Sequence, residues 1–304
     1  MRILSLDVGG TAIKSALVEA DGRIWDQRLT PSGIGTVESL TEKVTAAALA
    51  YTDYDVLAVS MTGQIDHKTQ SVLAWHNGER FAAIDFPLGQ ILRQAVQRPV
   101  FVLNDANAAA LGESRFGAGK DHKNFLCLTY GTGVGGGIIQ DGRLLTGARG
   151  IAGEFGHLIT HPGGILCRCG HRGCYQKYAA TSALLLEGQK LCPELKNARE
   201  LFEKLPEEKG LQEVVDQWID EIVLGLCSLA YLFDPECFIL GGGVMERQDV
   251  LAKVQTQFQK TVIPSFAGIR ILGAALGNQA GILGAVAYGR QVLAGNTDNI
   301  GVSL

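Results

Sequence analysis

Thiolate, imidazole and carboxylate side chains crowd into one stretch of this chain, Glu154 to Cys174. It reads Glu154-Phe-Gly-His157, then Cys167-Arg-Cys169-Gly-His-Arg-Gly-Cys174. Three cysteines in C-x-C-x4-C spacing, with His157 ten residues before the first, supply the donors of a closed, structural zinc site. Gly163, Gly164, Gly170 and Gly173 let the backbone turn sharply enough to bring the thiolates round one ion. His161 and His171 compete with His157 as the fourth ligand. The bland reading is a loop of free thiols, and cysteines this dense in a glycine-rich stretch favour zinc over it.

A second group of residues suits phosphate. Glycine after a strand lets backbone N–H groups face an anion without side-chain obstruction. The chain has three such turns: Gly9-Gly10-Thr11, Gly131-Thr132-Gly133 and Gly241-Gly242-Gly243. Three turns, two carrying threonine, suggest a nucleoside triphosphate gripped from both sides. Asp7, at the end of the first apolar run, suits Mg2+, directly or through water. Lys14 either reaches a phosphate or is a solvated strand lysine. Gly131 to Gly136 also matches G-x-G-x-x-G. The dinucleotide fingerprint needs a helix to follow, and here a β-branched strand and hairpin follow. The P-loop pattern G-x-x-x-x-G-K-[ST] is absent.

The elements that must position these residues fall into a repeated pattern. Ile3 to Leu6 and Ile13 to Val18 read as strands around the first turn, with Asp21-Gly22 as a hairpin signal. A helix over Glu38 to Ala50, a strand over Val56 to Ser60 leading into Gly63, and a strand over Pro99 to Leu103 follow. Asp105 then suits the N-cap of a helix over Ala106 to Arg115. Phe125 to Leu128 and Ile138-Ile139 repeat the opening, with Asp141-Gly142 at the hairpin. Gly131 follows Gly9 by 122 residues, and the two Asp-Gly pairs are 120 apart, which suggests internal duplication. Helices are expected over 178–190, 198–205, 211–233, 246–259 and 279–292, strands over 237–240 and 269–272, and a loose tail from Gly295 to Leu304. Strands alternating with helices, plus hairpins, give α/β with mixed sheets, one per half, and a cleft between them. Trp25, Trp75 and Trp218 read as packing residues.

Composition sets the class. The chain has 304 residues, 46% hydrophobic and 19% charged, with a formal net charge of −4. That is a well-cored globular protein with no basic footprint for nucleic acid. No run reaches the roughly 18 apolar residues of a membrane span, and the N-terminus shows no secretory pattern. Three of the seven cysteines belong to the zinc motif. The others, Cys127, Cys192, Cys227 and Cys237, lie in apolar surroundings and read as buried thiols, which suits a reducing cytoplasm.

Taken together, Asp7-Val-Gly-Gly-Thr11, Asn104-Asp105-Ala-Asn107, Gly131 to Gly137, Glu154-Phe-Gly-His157, the cysteine motif and Gly241 to Gly243 resemble the ROK family of bacterial sugar kinases and repressors. The match spans nearly the whole chain. The resemblance implies a duplicated actin-like, ribonuclease-H-like fold: an N-terminal lobe over 1–114 with helix 279–292 packed back on it, and a lobe over 115–278 carrying the zinc loop. It implies ATP- and Mg2+-dependent phosphorylation of a hexose such as glucose or N-acetylmannosamine, and a homodimer. It makes Asp105 the catalytic base, with Gly63, Asn104, Glu154 and His157 lining the sugar site. A carboxylate within reach of a sugar hydroxyl can take its proton during attack on phosphorus.

The chain departs from the family pattern at one place. Where the family motif carries a sugar-contacting glutamate after the third cysteine, this chain has Gln176. Glutamine keeps the length, loses the charge and gains a donor, and it is expected to touch the sugar still. Two other functions compete. A sugar-sensing repressor of the same family would carry a helix-turn-helix ahead of the first glycine turn, and Asp7 leaves no room for one. A non-catalytic sugar binder would not need Asp7, Asp105 and the glycine turns together.

Overall fold

The computed structural model describes residues 1–19, 21–33, 35–76 and 81–293. The tail expected from Gly295 onward lies outside them.

The first sheet is built from β1 (Arg2–Val8), β2 (Ala12–Glu19), β3 (Ile24–Pro31), β4 (Val56–Met61) and β8 (Val100–Asn104), in the order β3-β2-β1-β4-β8. β1, β2 and β3 form an antiparallel meander, and β1, β4 and β8 run parallel. Between these lie α1 (Val37–Leu49), a small antiparallel sheet of β5 (Gln64–Asp66), β6 (Ser71–His76) and β7 (Phe81–Phe86), and α2 (Leu88–Val96). No sequence signal marks this small sheet between Gly63 and Pro99, where the strand register slips twice.

After α3 (Asp105–Phe116), the second sheet repeats the first. It contains β9 (Phe125–Tyr130), β10 (Val134–Gln140), β11 (Arg143–Leu144), β12 (Cys237–Gly241) and β13 (Arg270–Gly273), in the order β11-β10-β9-β12-β13. The same directions recur: β9 is antiparallel to β10 and parallel to β12, which is parallel to β13. The duplication suggested by paired glycine turns is therefore present in strand order. Helices α4 (Gln176–Ala179), α5 (Thr181–Leu191), α6 (Ala198–Lys204), α7 (Lys209–Phe233) and α8 (Gln248–Thr261) complete the second half, and α9 (Ala280–Leu293) ends the described chain.

Burial shows why these strands read as unbroken apolar runs. Leu4, Leu6 and Val8 pack with Leu40 and Val44 of α1 and Leu88 and Leu92 of α2. Ile3, Val56, Ala58 and Phe101 face the other way, onto Ile282, Val286 and Val292 of α9. Phe125, Cys127, Cys237 and Ile239 meet that same central cluster, while Leu126, Leu128 and Phe238 face α5 to α8. Each sheet is thus covered on both faces. The middle layer is shared: α9 lies on β1 and β4, α3 lies on β9 and β10, and the two helices pack on each other. Their approach depends on Gly284, where a Cβ would overlap the Ala108 carbonyl oxygen. This is the duplicated actin-like fold.

Three expectations need correction. The N-cap of α3 is Asn104, not Asp105: Asn104 has extended backbone and its side chain accepts from the N–H groups of Ala106 and Asn107. The single helix expected over 178–190 breaks at Ala180, whose backbone is extended. There the Trp218 indole donates to the Ala179 and Ala180 carbonyls, and Thr181 donates to the Tyr130 carbonyl. Trp25 is not a core residue. It is 50% exposed, with the Arg23 guanidinium over its ring. Trp75 and Trp218 are buried, as are Cys127, Cys192, Cys227 and Cys237.

Candidate active site

Asp105 opens α3 at the end of β8. The Asn104 Nδ2 donates to Asp105 Oδ1 at 3.1 Å and to the Gly63 carbonyl at 3.0 Å, and the Ala106 N–H donates to Asp105 Oδ1 at 2.9 Å. Asn104 therefore caps the helix with its oxygen and holds the carboxylate with its nitrogen. Gly63 has φ 119°, and a Cβ there would sit 2.9 Å from the Ala74 carbonyl oxygen. Burial pushes the Asp105 carboxyl up from its ordinary value to about 6. The N–H of Ala106 opposes that shift, and the charges of Asp7 and Glu154 add to it.

A cavity of about 50 Å3 opens beside this carboxyl, and Gly63, Gln64, Asn104, Asp105, Asn107 and Glu154 all line it. Gln64 Nε2 donates to Glu154 Oε1 at 3.3 Å. Asn107 is 5% exposed, and its Oδ1 has no hydrogen-bond partner among the described residues. Neither Gln64 nor Asn107 was given a role from sequence. The Asn104-Asp105-Ala-Asn107 spacing was the available signal, since it puts Asn107 in the first turn of the same helix.

Next to this cavity lies a cleft of about 730 Å3, whose walls include Gly9, Gly10, Thr132, Gly133, His157 and Gln176. It brings the first two glycine turns face to face, from opposite halves of the molecule. Asp7, Thr11, Lys14, Gly131 and Gly241 to Gly243 are not on its wall. The third turn backs the second: Gly242 has φ 109°, and a Cβ there would overlap the Tyr130 carbonyl oxygen. The second turn is closed by the Gly131 N–H donating to the Gly133 carbonyl at 2.9 Å, and Ser182 donates to the Thr132 carbonyl at 2.8 Å. Asp7 lies between a Lys14 ammonium 3.3 Å from Oδ2 and a Ser60 hydroxyl 3.2 Å from Oδ1. It also abuts Gly281 in the first turn of α9, where the helix dipole favours an anion.

His157, Cys167, Cys169 and Cys174 converge, their ligand atoms all within 4.8 Å of one another. Cys169 Sγ is 3.5 Å from Cys174 Sγ, and Cys167 Sγ is 3.9 Å from His157 Nδ1. Four donors about 2.0–2.3 Å from one ion would stand about this far apart, so the residues fit the metal. The other ring nitrogen of His157 faces Glu154 Oε2 at 3.9 Å. His161 is turned elsewhere, stacked on Tyr178 and 3.3 Å from Glu221 Oε1. His171 Nδ1 is 3.8 Å from Cys169 Sγ and outside the four-residue group. Gln176 bonds to Cys167 and Val134.

The ROK family profile matches residues 3–292. The glucokinase of Streptomyces coelicolor is 32% identical over 315 residues, covering 95% of this chain and 97% of its own. The N-acetylmannosamine kinase of Escherichia fergusonii is 31% identical over 290 residues, covering 94% and 97% respectively. A crystal structure of a ROK family glucokinase from Streptomyces griseus, in complex with glucose and AMPPNP, superposes with a TM-score of 0.84 at 33% identity, over 96% of this chain and 100% of that one. The match runs through both halves and every motif described above, and this chain belongs to the ROK family.

Proposed function

We propose that Asp105 is the general base with which this ATP-dependent sugar kinase moves the γ-phosphoryl group of ATP to a hydroxyl of a hexose or hexose derivative. One observation carries the assignment: a carboxyl held by Asn104 and raised to about 6 on the wall of a small polar cavity. A base with that affinity is largely ionised at neutral pH yet accepts a proton readily. The sugar sits against Gly63, Asn104 and Glu154 at the cavity and His157 on the wall of the cleft. Its hydroxyl proton passes to Asp105 as the oxygen attacks the γ-phosphorus, and the bond to the β–γ bridging oxygen breaks to release ADP. Gly9, Gly10, Thr11, Gly131, Thr132, Gly133 and the turn at 241–243 hold the phosphates by backbone N–H groups. Mg2+ would neutralise developing charge on the phosphates. Asp7 would hold it, and the Lys14 ammonium 3.3 Å from its carboxylate supports that reading.

His157, Cys167, Cys169 and Cys174 would hold a structural zinc, since four protein donors leave no open position. It fixes the loop that carries Glu154. The cleft closes when residues 1–114, with α9, move against 115–278. We also propose that the enzyme works in the cytoplasm as a homodimer. All seven cysteines are free thiols, which suits a reducing compartment. No helix among the described residues is long and apolar enough to cross a membrane.

The test supplies ATP, Mg2+ and a panel of hexoses, glucose and N-acetylmannosamine among them, and follows ADP release. We expect release with at least one sugar and its loss in Asp105→Asn. No release with any sugar would favour a sugar sensor. Sedimentation velocity reads the mass.

A further inference from the structure

Gln176 begins α4, two residues beyond the last cysteine of the metal cluster. Its side chain bridges the start of β10 and the cysteine loop by hydrogen bonds to both. Oε1 accepts from the Val134 N–H at 3.3 Å, and Nε2 donates to Cys167 Sγ at 3.3 Å. A backbone N–H can be met only by the oxygen end of an amide, so Val134 fixes which end faces the sulfur. Oε1 would lie 2.5 Å from a Cβ on Gly133 and 3.1 Å from one on Gly156. The half-buried amide therefore lies against both the Gly131–Gly133 turn and the turn that carries Glu154 and His157, at the cleft wall.

We propose that Gln176 is a positioning residue that couples the Cys/His cluster to the Gly131–Gly133 turn, so that metal occupancy and nucleotide affinity reinforce each other. The inference rests on the reading of that turn as a phosphate holder. Its chemistry follows from the donor. An N–H aimed at a ligating thiolate spreads the sulfur's charge and fixes its direction. A carboxylate of the same length has no proton to give at neutral pH and would set negative charge against negative charge. The far side of the turn is already pinned by Ser182 of α5. The Val134 N–H is its tie to the cluster, so a cluster that loosens releases the turn on that side only. Each end of the Gln176 amide makes one of these bonds, which leaves one lone pair and one N–H on the cleft side.

The test uses the zinc-loaded full chain with Gln176→Glu and Gln176→Met. Two quantities are read: the rate of metal release to a chromogenic chelator, with and without saturating Mg-AMPPNP, and the Kd for Mg-AMPPNP without sugar. We expect release to be about 10- to 100-fold faster in both variants and the Kd for AMPPNP to rise about tenfold. Bound AMPPNP should slow metal release in the wild type and not in the variants, because coupling is reciprocal. Gln176→Met keeps the length without charge and carries the test where Gln176→Glu does not fold. Wild-type release and Kd in Gln176→Met would overturn the proposal. So would a changed kcat/KM ranking among sugars with an unchanged AMPPNP Kd, which would make Gln176 a sugar ligand. A wild-type protein that does not bind AMPPNP would overturn the reading of the turn itself. Binding without coupling would overturn this inference alone.

Discussion

Lys14 holds its ammonium 3.3 Å from Asp7 Oδ2, across the β1–β2 hairpin where the two residues are register partners. The pair sits in the acidic corner expected to take Mg2+, with Ser60 bonding the other carboxylate oxygen. Lys14 is a counter-ion to Asp7 and also donates to the Asn278 carbonyl at 3.4 Å; a metal on Asp7 would displace it towards phosphate. Lys14→Met should raise the KM for ATP about tenfold, the loss of one charge-assisted contact, with the KM for sugar unchanged. Asp7→Asn should instead raise the Mg2+ concentration needed for half-maximal rate. Initial rates over a grid of ATP and Mg2+ concentrations separate the two. Equal effects of both substitutions on Mg2+ dependence would contradict the division of labour.

Asp105 links activity to stability with opposite signs. Its carboxyl is raised from 3.8 to about 6 in the folded protein, first by burial. The base must be ionised, so kcat/KM should rise with pH, bend near 6 and level off above it. A raised carboxyl means the folded state binds the proton more tightly. Its contribution to stability is complete below pH 3.8 and is lost as pH rises through about 6. Asp105→Asn removes that loss. It should abolish turnover by a factor of about 100 or more, yet be more stable than wild type at pH 7.5 by up to about 3 kcal/mol. The two proteins should converge below pH 4. Denaturant melts at both pH values read this directly, and equal stability at pH 7.5 would mean the carboxyl is not raised.

Asn107 carries a buried acceptor with no partner among the described residues, on the wall of the cavity beside Asp105. Leaving such a group unmet costs about 1–3 kcal/mol, and a substrate hydroxyl or N–H would meet it. Asn107→Ala should therefore lower kcat/KM for the sugar about tenfold while the KM for ATP stays put. Thermal stability should hardly fall, because the side chain gives up no hydrogen bond within the protein. A large drop in Tm with unchanged sugar kinetics would make Asn107 a packing residue.

Much of this was legible in the sequence, and what was not has physical causes. The strand–turn–strand repeat showed because Asp-Gly and Gly-Thr signals are local chemistry. The convergence of the three cysteines showed for the same reason, since cysteine spacing constrains a loop by itself. Asn104 and Asp105 are adjacent, both good N-caps, and only the geometry of β8 decides which residue turns the corner. Ala180 looks helical, and the break there is imposed by Trp218, thirty-eight residues away. Strands β5 to β7 escaped notice because they pair irregularly outside the main sheets. Gln176 was legible as a departure from the family pattern beside the cysteines. The bond from Val134 that orients its amide comes from a strand forty-two residues earlier, which no local pattern encodes.

Two glycines of α9 should respond oppositely to the same substitution, because the middle layer of the fold is tight at one end only. A Cβ on Gly284 would overlap the Ala108 carbonyl oxygen of α3, a backbone atom that cannot swing aside. The helices would have to part, and overpacking of this kind costs about 1–3 kcal/mol or more. A Cβ on Gly289 would meet Phe101 at 3.6 Å, Val56 at 3.8 Å and Ala58 at 3.9 Å, all ordinary contacts. There alanine loses nothing in packing and gains helix propensity, about 0.5–1 kcal/mol. Gly284→Ala should thus lower Tm and Gly289→Ala should raise it slightly. The separation should also reach the site. α3 begins at Asp105, and α9 begins against Asp7 through Gly281. Forcing the two helices apart changes the spacing of Asp105 and Asp7. Gly284→Ala should lose kcat well below its unfolding temperature, while Gly289→Ala keeps it. Full kcat in a folded Gly284→Ala would show that the helix pair does not set the distance between those two carboxylates.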